Sequence, residues 1–350
     1  MVSLFWFFLR GAGGTYKVQV NLAKGEMTMR RNRRKALSLA VAVTLVLSMF
    51  LAACSGGSND GRPSQLSLVT GGTGGTYYPL GGQIANIIKD ETGIETTAQV
   101  SNASAENMQT MNDGEADLGF TQTDIASYAK DGKLMFEGSA IDSIQAIGTL
   151  YPETIQIVTL KDSGITSIED LKGRKVSVGA PGSGTFANAE QILEIHGIAM
   201  ADIDAQHLAF DESVDGIQDG NIAAAFITAG TPTGSVEGLS AVKDVRILSM
   251  AQDKVDALIA KYPYYAADVV QAGTYKLEED VTTVAVQAML VVREALDEDL
   301  VYDITKAIFE NTDRITHAKG AFITAESALD GLGIDLHPGA ARYYEEKGLK

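Results

Sequence analysis

Thiols, imidazoles and basic side chains are scarce in this sequence. Its 350 residues hold one Cys, four His and one Trp. A single Cys excludes a disulfide framework, a CxxC redox centre and any metal site built from several thiolates. The four His, at 196, 207, 317 and 337, have no metal-ligand spacing among them, and no metal site is expected. Lys and Arg number 28 against 45 Asp and Glu, a formal net charge of −17. Neutralising a phosphate backbone needs a clustered basic surface, so nucleic acid is excluded as the main partner. What is present is a globular balance, 45% hydrophobic and 21% charged. The length suits two domains of ordinary size, and no repeat of fixed period is visible.

The amino-terminal part reads as an address. Arg30-Arg31-Asn32-Arg33-Arg34-Lys35 is a basic run, and Ala36 to Ala53 is apolar apart from Ser38, Thr44 and Ser48. A charged segment followed by an apolar one with small residues at its end is the pattern of a secretory signal. An uncleaved membrane anchor is the competing reading of the same stretch. Its end, Leu51-Ala52-Ala53-Cys54-Ser55-Gly56, resembles the bacterial lipobox, whose Cys becomes the lipidated first residue of the mature chain. Residues 29–53 are therefore expected to be a lipoprotein signal peptide, with Cys54 the lipidation site. Residues 1–28 add a second apolar start, Leu4 to Leu9, ahead of a complete signal. The codons of Lys24-Gly25-Glu26 can spell a purine-rich ribosome-binding sequence, so translation is expected to begin at Met27 or Met29. Residues 1–53 carry eight of the basic residues and one acid, which leaves 20 basic against 44 acidic in the rest. Residues 54–64, rich in Gly, Ser, Asn and Asp, suit a flexible tether.

From Leu66 onward short apolar runs alternate with amphipathic segments, the signature of an α/β fold. Strands are expected at 66–70, 95–101, 116–120, 143–149 and 155–160, with helices at 81–90, 103–112 and from about 123. A second set follows, with a short helix opened by Ser167-Ile168-Glu169-Asp170, a capping-box pattern. Strands at 175–178, 222–227, 245–248 and 282–292 and helices at 186–196 and 300–310 complete it.

Gly179-Ala180-Pro181-Gly182-Ser183-Gly184-Thr185 lies between a strand and a helix. Free amides at a helix N-terminus favour a carboxylate or phosphate there, and Ser183 and Thr185 add hydroxyls. Gly179 and Gly184 have P-loop spacing, but Thr185 stands where the Lys belongs, which argues against nucleotide hydrolysis. A tight strand-to-helix turn explains the glycines equally well. The loop Gly71-Gly72-Thr73-Gly74-Gly75-Thr76-Tyr77 repeats the arrangement. Tyr77 fills the place of a third dinucleotide-fingerprint glycine, so a Rossmann site is weakly supported. Two such loops, one in each presumed lobe, can face each other across a cleft. Asp124 starts or caps a helix, whereas Gln122 has no such task and can hydrogen-bond a ligand. Ser101-Asn102-Ala103-Ser104 reads as a turn with a helix cap or as a ligand contact. Tyr262-Pro263-Tyr264-Tyr265 reads as packing at a lobe surface.

Together these segments resemble the TAXI family of solute-binding proteins, receptor subunits of a class of TRAP transporters. The resemblance covers roughly 64–312. It is carried by Thr70 to Tyr78, Gly114 to Asp124, Asp170-Leu171-Lys172-Gly173 and Val178 to Thr185. Asn102-Ala103-Ser104 departs from it, because the family tends to have glycines before the Ser. The resemblance implies a type II periplasmic-binding-protein fold with a ligand cleft between two hinged lobes, residues 65–160 plus 282–350 and residues 161–281. It implies a small carboxylate ligand, a glutamate-like amino acid or another organic acid. It implies ligand contacts at Thr73, Gly74, Thr76, Tyr77, Ser104, Gln122, Asp124, Ser183, Gly184, Thr185 and Thr231. The expected partner is an ion-coupled TRAP-type permease, with no cofactor, and the protein is expected to be an exported, lipid-anchored monomer. None of the matched loops holds Arg or Lys, so amides and hydroxyls are expected to hold the carboxylate.

Two rivals remain. A binding protein for an ATP-driven ABC importer or a sensor kinase has the same sequence features. A hydrolase would use Ser183, but Gly182-Ser183-Gly184 is not a G-x-S-x-G elbow, and the chain is not expected to be an enzyme.

Overall fold

The computed structural model describes residues 7–11, 14–18 and 62–350. The expected signal peptide, Cys54 and nearly all of the tether lie outside them. Strands β1 (Phe7–Gly11) and β2 (Gly14–Val18) form an antiparallel ribbon, a unit by itself. Among the described residues, no helix is long and apolar enough to cross a membrane.

Residues 62–350 form the second unit, built on one mixed sheet. Its strands are β3 (Gln65–Val69), β4 (Glu95–Gln99), β5 (Leu118–Gln122), β6 (Ile144–Leu160), β7 (Lys175–Ser177), β8 (Asp204–Gln206), β9 (Ala224–Ala229), β10 (Val245–Ile247), β11 (Ala266–Val270) and β12 (Val281–Arg293). The order is β4-β3-β5-β12-β6-β9-β7-β8, with β10 on β6 and β11 on β12. Each end of the sheet is a parallel trio, β4-β3-β5 or β8-β7-β9. The long antiparallel strands β6 and β12 pass through both halves.

Burial on both faces explains the strand sequences. Along β12, Ala288, Leu290 and Val292 enter one apolar cluster and Met289 and Val291 the opposite one. Further back, Val284 and Val286 enter the second half's core. Helices α1 (Tyr77–Thr92), α8 (Glu298–Phe309) and α9 (Pro338–Glu346) cover one face of the first half. Helices α2 (Ser104–Asn112) and α3 (Thr123–Asp131) cover the other. The second half is covered by α4 (Gly184–Ile195) and α7 (Gln252–Lys261) on one face and by α5 (Phe210–Gln218) and α6 (Gly234–Val242) on the other. The two halves thus have separate cores, and the two-lobe α/β fold expected from the sequence is found.

The two strands expected at 143–149 and 155–160 are one strand of 17 residues, β6. Proline lacks a ladder donor and normally ends a central strand. Here Pro152 pairs with Gln287, beside a bulge at which Leu150 and Tyr151 of β6 oppose the single residue Ala288 of β12. The helix expected from residue 81 begins at Tyr77, and α4 begins at Gly184, two residues earlier than expected.

Candidate functional site

Ligands of α/β folds collect where parallel strands end. In each half three parallel strands run to their C-terminal ends and feed a helix. A cavity between the halves is lined by residues from all six ends. After β3 come Gly71, Gly72, Gly75, Thr76 and Tyr77; after β4, Ser101 to Ser104; at the end of β5, Gln122. After β7 come Ala180, Ser183, Gly184 and Thr185; after β8, Ala209 and Phe210; on β9, Thr228 and Ala229. Glu153 of the shared strand β6 completes the wall. The space open to centres of water-sized spheres is about 50 Å³, room for a few waters or a ligand of few heavy atoms.

Hydrogen bonds close this cavity from the sides. The Thr73 hydroxyl donates to Asp211 Oδ2 at 2.9 Å, and Ser235 N donates to the Gly74 carbonyl at 3.1 Å. Gly230 N donates to Thr76 Oγ1 at 3.1 Å, and the amides of Ala105 and Glu106 share the Gly182 carbonyl at 3.0 Å. The loop geometry depends on glycine at Gly179 and Gly182, whose φ angles of 92° and 73° lie in the left-handed region. Ser183 is the N-cap of α4, its Oγ accepting from Phe186 N at 3.2 Å. A Cβ at Gly184 would overlap Gln122 Oε1, so only glycine lets that side chain come so close.

Behind the cavity lies a polar network. Asn188 Nδ2 donates to Asp124 Oδ2 at 3.1 Å and to the Tyr265 hydroxyl at 2.9 Å. Its Oδ1 accepts from Thr228 Oγ1 at 3.1 Å and from Gln122 Nε2 at 3.3 Å. Glu153 Oε2 accepts from the Tyr77 hydroxyl at 2.7 Å. Burial pushes the Asp124 carboxyl up to about 7, against the pull of its hydrogen bonds. Burial also pushes Glu153 up to about 8; the Tyr77 hydrogen bond opposes this and Asp124 adds to it. The Tyr77 hydroxyl is raised by its own burial and by Glu153. Lys319, buried against Gly230, is held low by burial.

Of the residues expected at the site, Thr76, Tyr77, Ser104, Gln122, Ser183, Gly184 and Thr185 line the cavity. Thr73 and Gly74 sit at its edge in contacts with the other half. Asp124 is buried behind it on Asn188. Thr231 does not line it; its Oγ1 is buried without a partner. Ser104 begins α2, and Ala103 before it holds φ 75° and ψ −143°, a region glycine favours. The sequence departs from its resemblance at that very residue. Tyr265, read as surface packing, is buried and bonds Gln191 and Asn188. No Arg or Lys lines the cavity. Sequence reasoning missed Glu153, Asn188, Thr228 and Phe210. A lone acid inside the apolar run of β6 was the one signal that pointed to Glu153. Among the described residues, no cluster of His, Cys, Asp and Glu could hold a metal.

The profile of the NMT1-like family matches residues 68–348. A solved structure from Bordetella bronchiseptica RB50 is similar over 82% of this chain and 98% of its own, at 18% identity and a TM-score of 0.54. A structure described as a periplasmic transporter is similar over 82% of this chain and 95% of its own, at 15% identity and a TM-score of 0.50. At such identities the likeness is one of fold.

Proposed function

This chain belongs to the NMT1-like family, and from that premise we propose that it is an extracytoplasmic solute receptor of the TAXI kind. It captures a small carboxylate and delivers it to a TRAP-type permease, and it is exported and lipid-anchored through Cys54. The observation that carries this reading is the cavity itself, walled by the ends of all six parallel strands and bridged by hydrogen bonds between the halves. The lobe boundaries at residues 160 and 282 belong to the same proposal: they put the hinge on β6 and β12, the strands common to both halves.

The mechanism follows from that layout. The amides at the start of α4 and the hydroxyls of Ser183 and Thr185 offer a carboxylate donors without a fixed cation. A ligand touching loops of both halves favours the closed state, by no more than its preference for closed over open. A micromolar ligand supplies about 8 kcal/mol in all, part of which drives closure. The closed form presents a surface that exists only with cargo, which lets a permease distinguish loaded from empty receptor.

Thermal unfolding of the purified chain against amino acids and organic acids tests the reading. A ligand at 100 times its dissociation constant stabilises by about 2.7 kcal/mol. The expected result is a stabilising carboxylate whose effect is lost in Thr185→Ala and Gln122→Ala. No stabilisation by any carboxylate, in protein free of carried-over ligand, would remove the reading.

A further inference from the structure

The cavity has one acid on its wall and no base. Among the described residues that line it, Glu153 is the only carboxyl, and none is Lys, Arg or His. Glu153 is 2% exposed, and its Oε2 accepts from the Tyr77 hydroxyl at 2.7 Å. Lys319, on the short helix Ala318–Phe322, acts on it from beyond ion-pair distance, its Nζ lying over the Phe322 ring at 4.7 Å from the centroid. Asp124 stands behind, with Oδ2 on Asn188 and Oδ1 buried without a partner. The phenols of Tyr77 and Tyr151 also face Glu153, and Asp268 lies near Lys319. Burial, with Asp124 adding to it, outweighs the pull of Tyr77, Gln122 and Lys319 and leaves the Glu153 carboxyl at about 8.

We propose that Glu153 is a proton switch of the site: it admits a carboxylate when protonated and repels it when ionised, so that capture of the cargo takes up a proton. The inference rests on the receptor reading and adds a regulation to its site. The open space is only about 50 Å³, so an anion bound there cannot lie far from Glu153. Two carboxylates in one dry space do not both stay ionised. The cargo's carboxylate has the donors of Ser183, Thr185 and the start of α4 to hold its charge, whereas Glu153 has no ion-pair partner. The proton therefore comes from solvent and forms an O–H bond on Glu153, and no bond of the cargo changes. In that form Glu153 is also a donor. By linkage, a cargo that strengthens proton binding at Glu153 is itself bound more weakly as pH rises.

The test is calorimetric titration of the purified chain at about pH 6 with the proteinogenic amino acids, their 2-oxo acids and short straight-chain mono- and dicarboxylic acids. The strongest binder is then followed to about pH 9 against wild type and Glu153→Gln, a fixed stand-in for the protonated acid. The cargo's own groups titrate equally against both chains, so the ratio of the two dissociation constants isolates Glu153. The expected result is a ratio that moves about tenfold against wild type between pH 6 and pH 9. Repeated at pH 8 in buffers of different ionisation enthalpy, wild-type binding should take up about half a proton. That measurement needs no variant, and far-UV circular dichroism checks that Glu153→Gln is folded. If the two chains change in parallel with pH, or if wild type takes up no proton at pH 8, the switch is overturned and the receptor reading stands. Binding by no member of the panel would remove both.

Discussion

The loop after β3 and the loop after β7 hold equivalent places in the two halves of the sheet, yet they make different contacts. The first reaches across the cleft: Thr73 bonds Asp211, the Gly74 carbonyl accepts from Ser235, and Thr76 accepts from Gly230. The second crosses through its backbone instead: the Gly182 carbonyl accepts from the amides of Ala105 and Glu106 and Gly184 lies against Gln122, while Ser183 caps its own helix. One strand–glycine–helix plan therefore bridges the halves mainly through side chains in the first loop and through backbone in the second. Between the loops, Gln122 at the end of β5 and Glu153 on β6 complete the cavity wall. Glycine content alone does not reveal which kind of contact each loop makes.

The largest way to strain this arrangement is pH. Asp124 and Glu153 are raised by burial to about 7 and about 8 from ordinary values of 3.8 and 4.5. The folded chain then holds protons that the unfolded chain has released, so their contribution is complete below about pH 4 and is lost as pH rises towards 8. A shift of three units corresponds to about 4 kcal/mol for one such group. Ligand-free protein should therefore show a falling urea midpoint between pH 5 and 8, and the fall should flatten in Asp124→Asn and in Glu153→Gln. A midpoint that rises over this range in wild type would contradict the buried placement.

The same substitution in the two loops separates their roles. Gly184→Ala drives a Cβ into Gln122 Oε1, and ligand affinity should fall about 100-fold while the helix, where Ala is favoured, stays formed. Between these two in size is a gain. Ala103 holds a conformation suited to glycine, so Ala103→Gly should raise stability by about 1 kcal/mol in chemical denaturation. Gly74→Ala meets only the Asp211 side chain, which can swing away, and calorimetry should find a loss of about threefold in affinity. Equal losses from the two Gly→Ala variants would erase the contrast between the loops.

Much of this was legible from local pattern. The apolar runs of β3, β9 and β12 and the two glycine loops stand out because strands buried on both faces and strand-to-helix turns leave strong composition signals. Gln122 was legible as a polar residue at a strand end without a capping task. Glu153 was not. Pro152 before it argues for a break, and the strand that β6 pairs with as it runs on is β12, more than 130 residues away in sequence. Asn188 was hidden for a similar reason: inside a helix it reads as a solvated polar residue, and its four partners lie on α3, β5, β9 and the segment before β11. The closeness of the halves was equally out of reach, since it depends on contacts such as Thr73 with Asp211 that no local pattern contains.

In the proposed receptor a carboxylate is held between the halves by amides and hydroxyls and without a cation. A crystal structure of the chain grown with its best-stabilising ligand tests this directly. The ligand is expected in the cavity between Tyr77 and Thr185, its carboxylate on the donors of Ser183, Thr185 and the first turn of α4. A carboxylate gripped by an Arg fork, or a ligand bound away from the six strand ends, would contradict it.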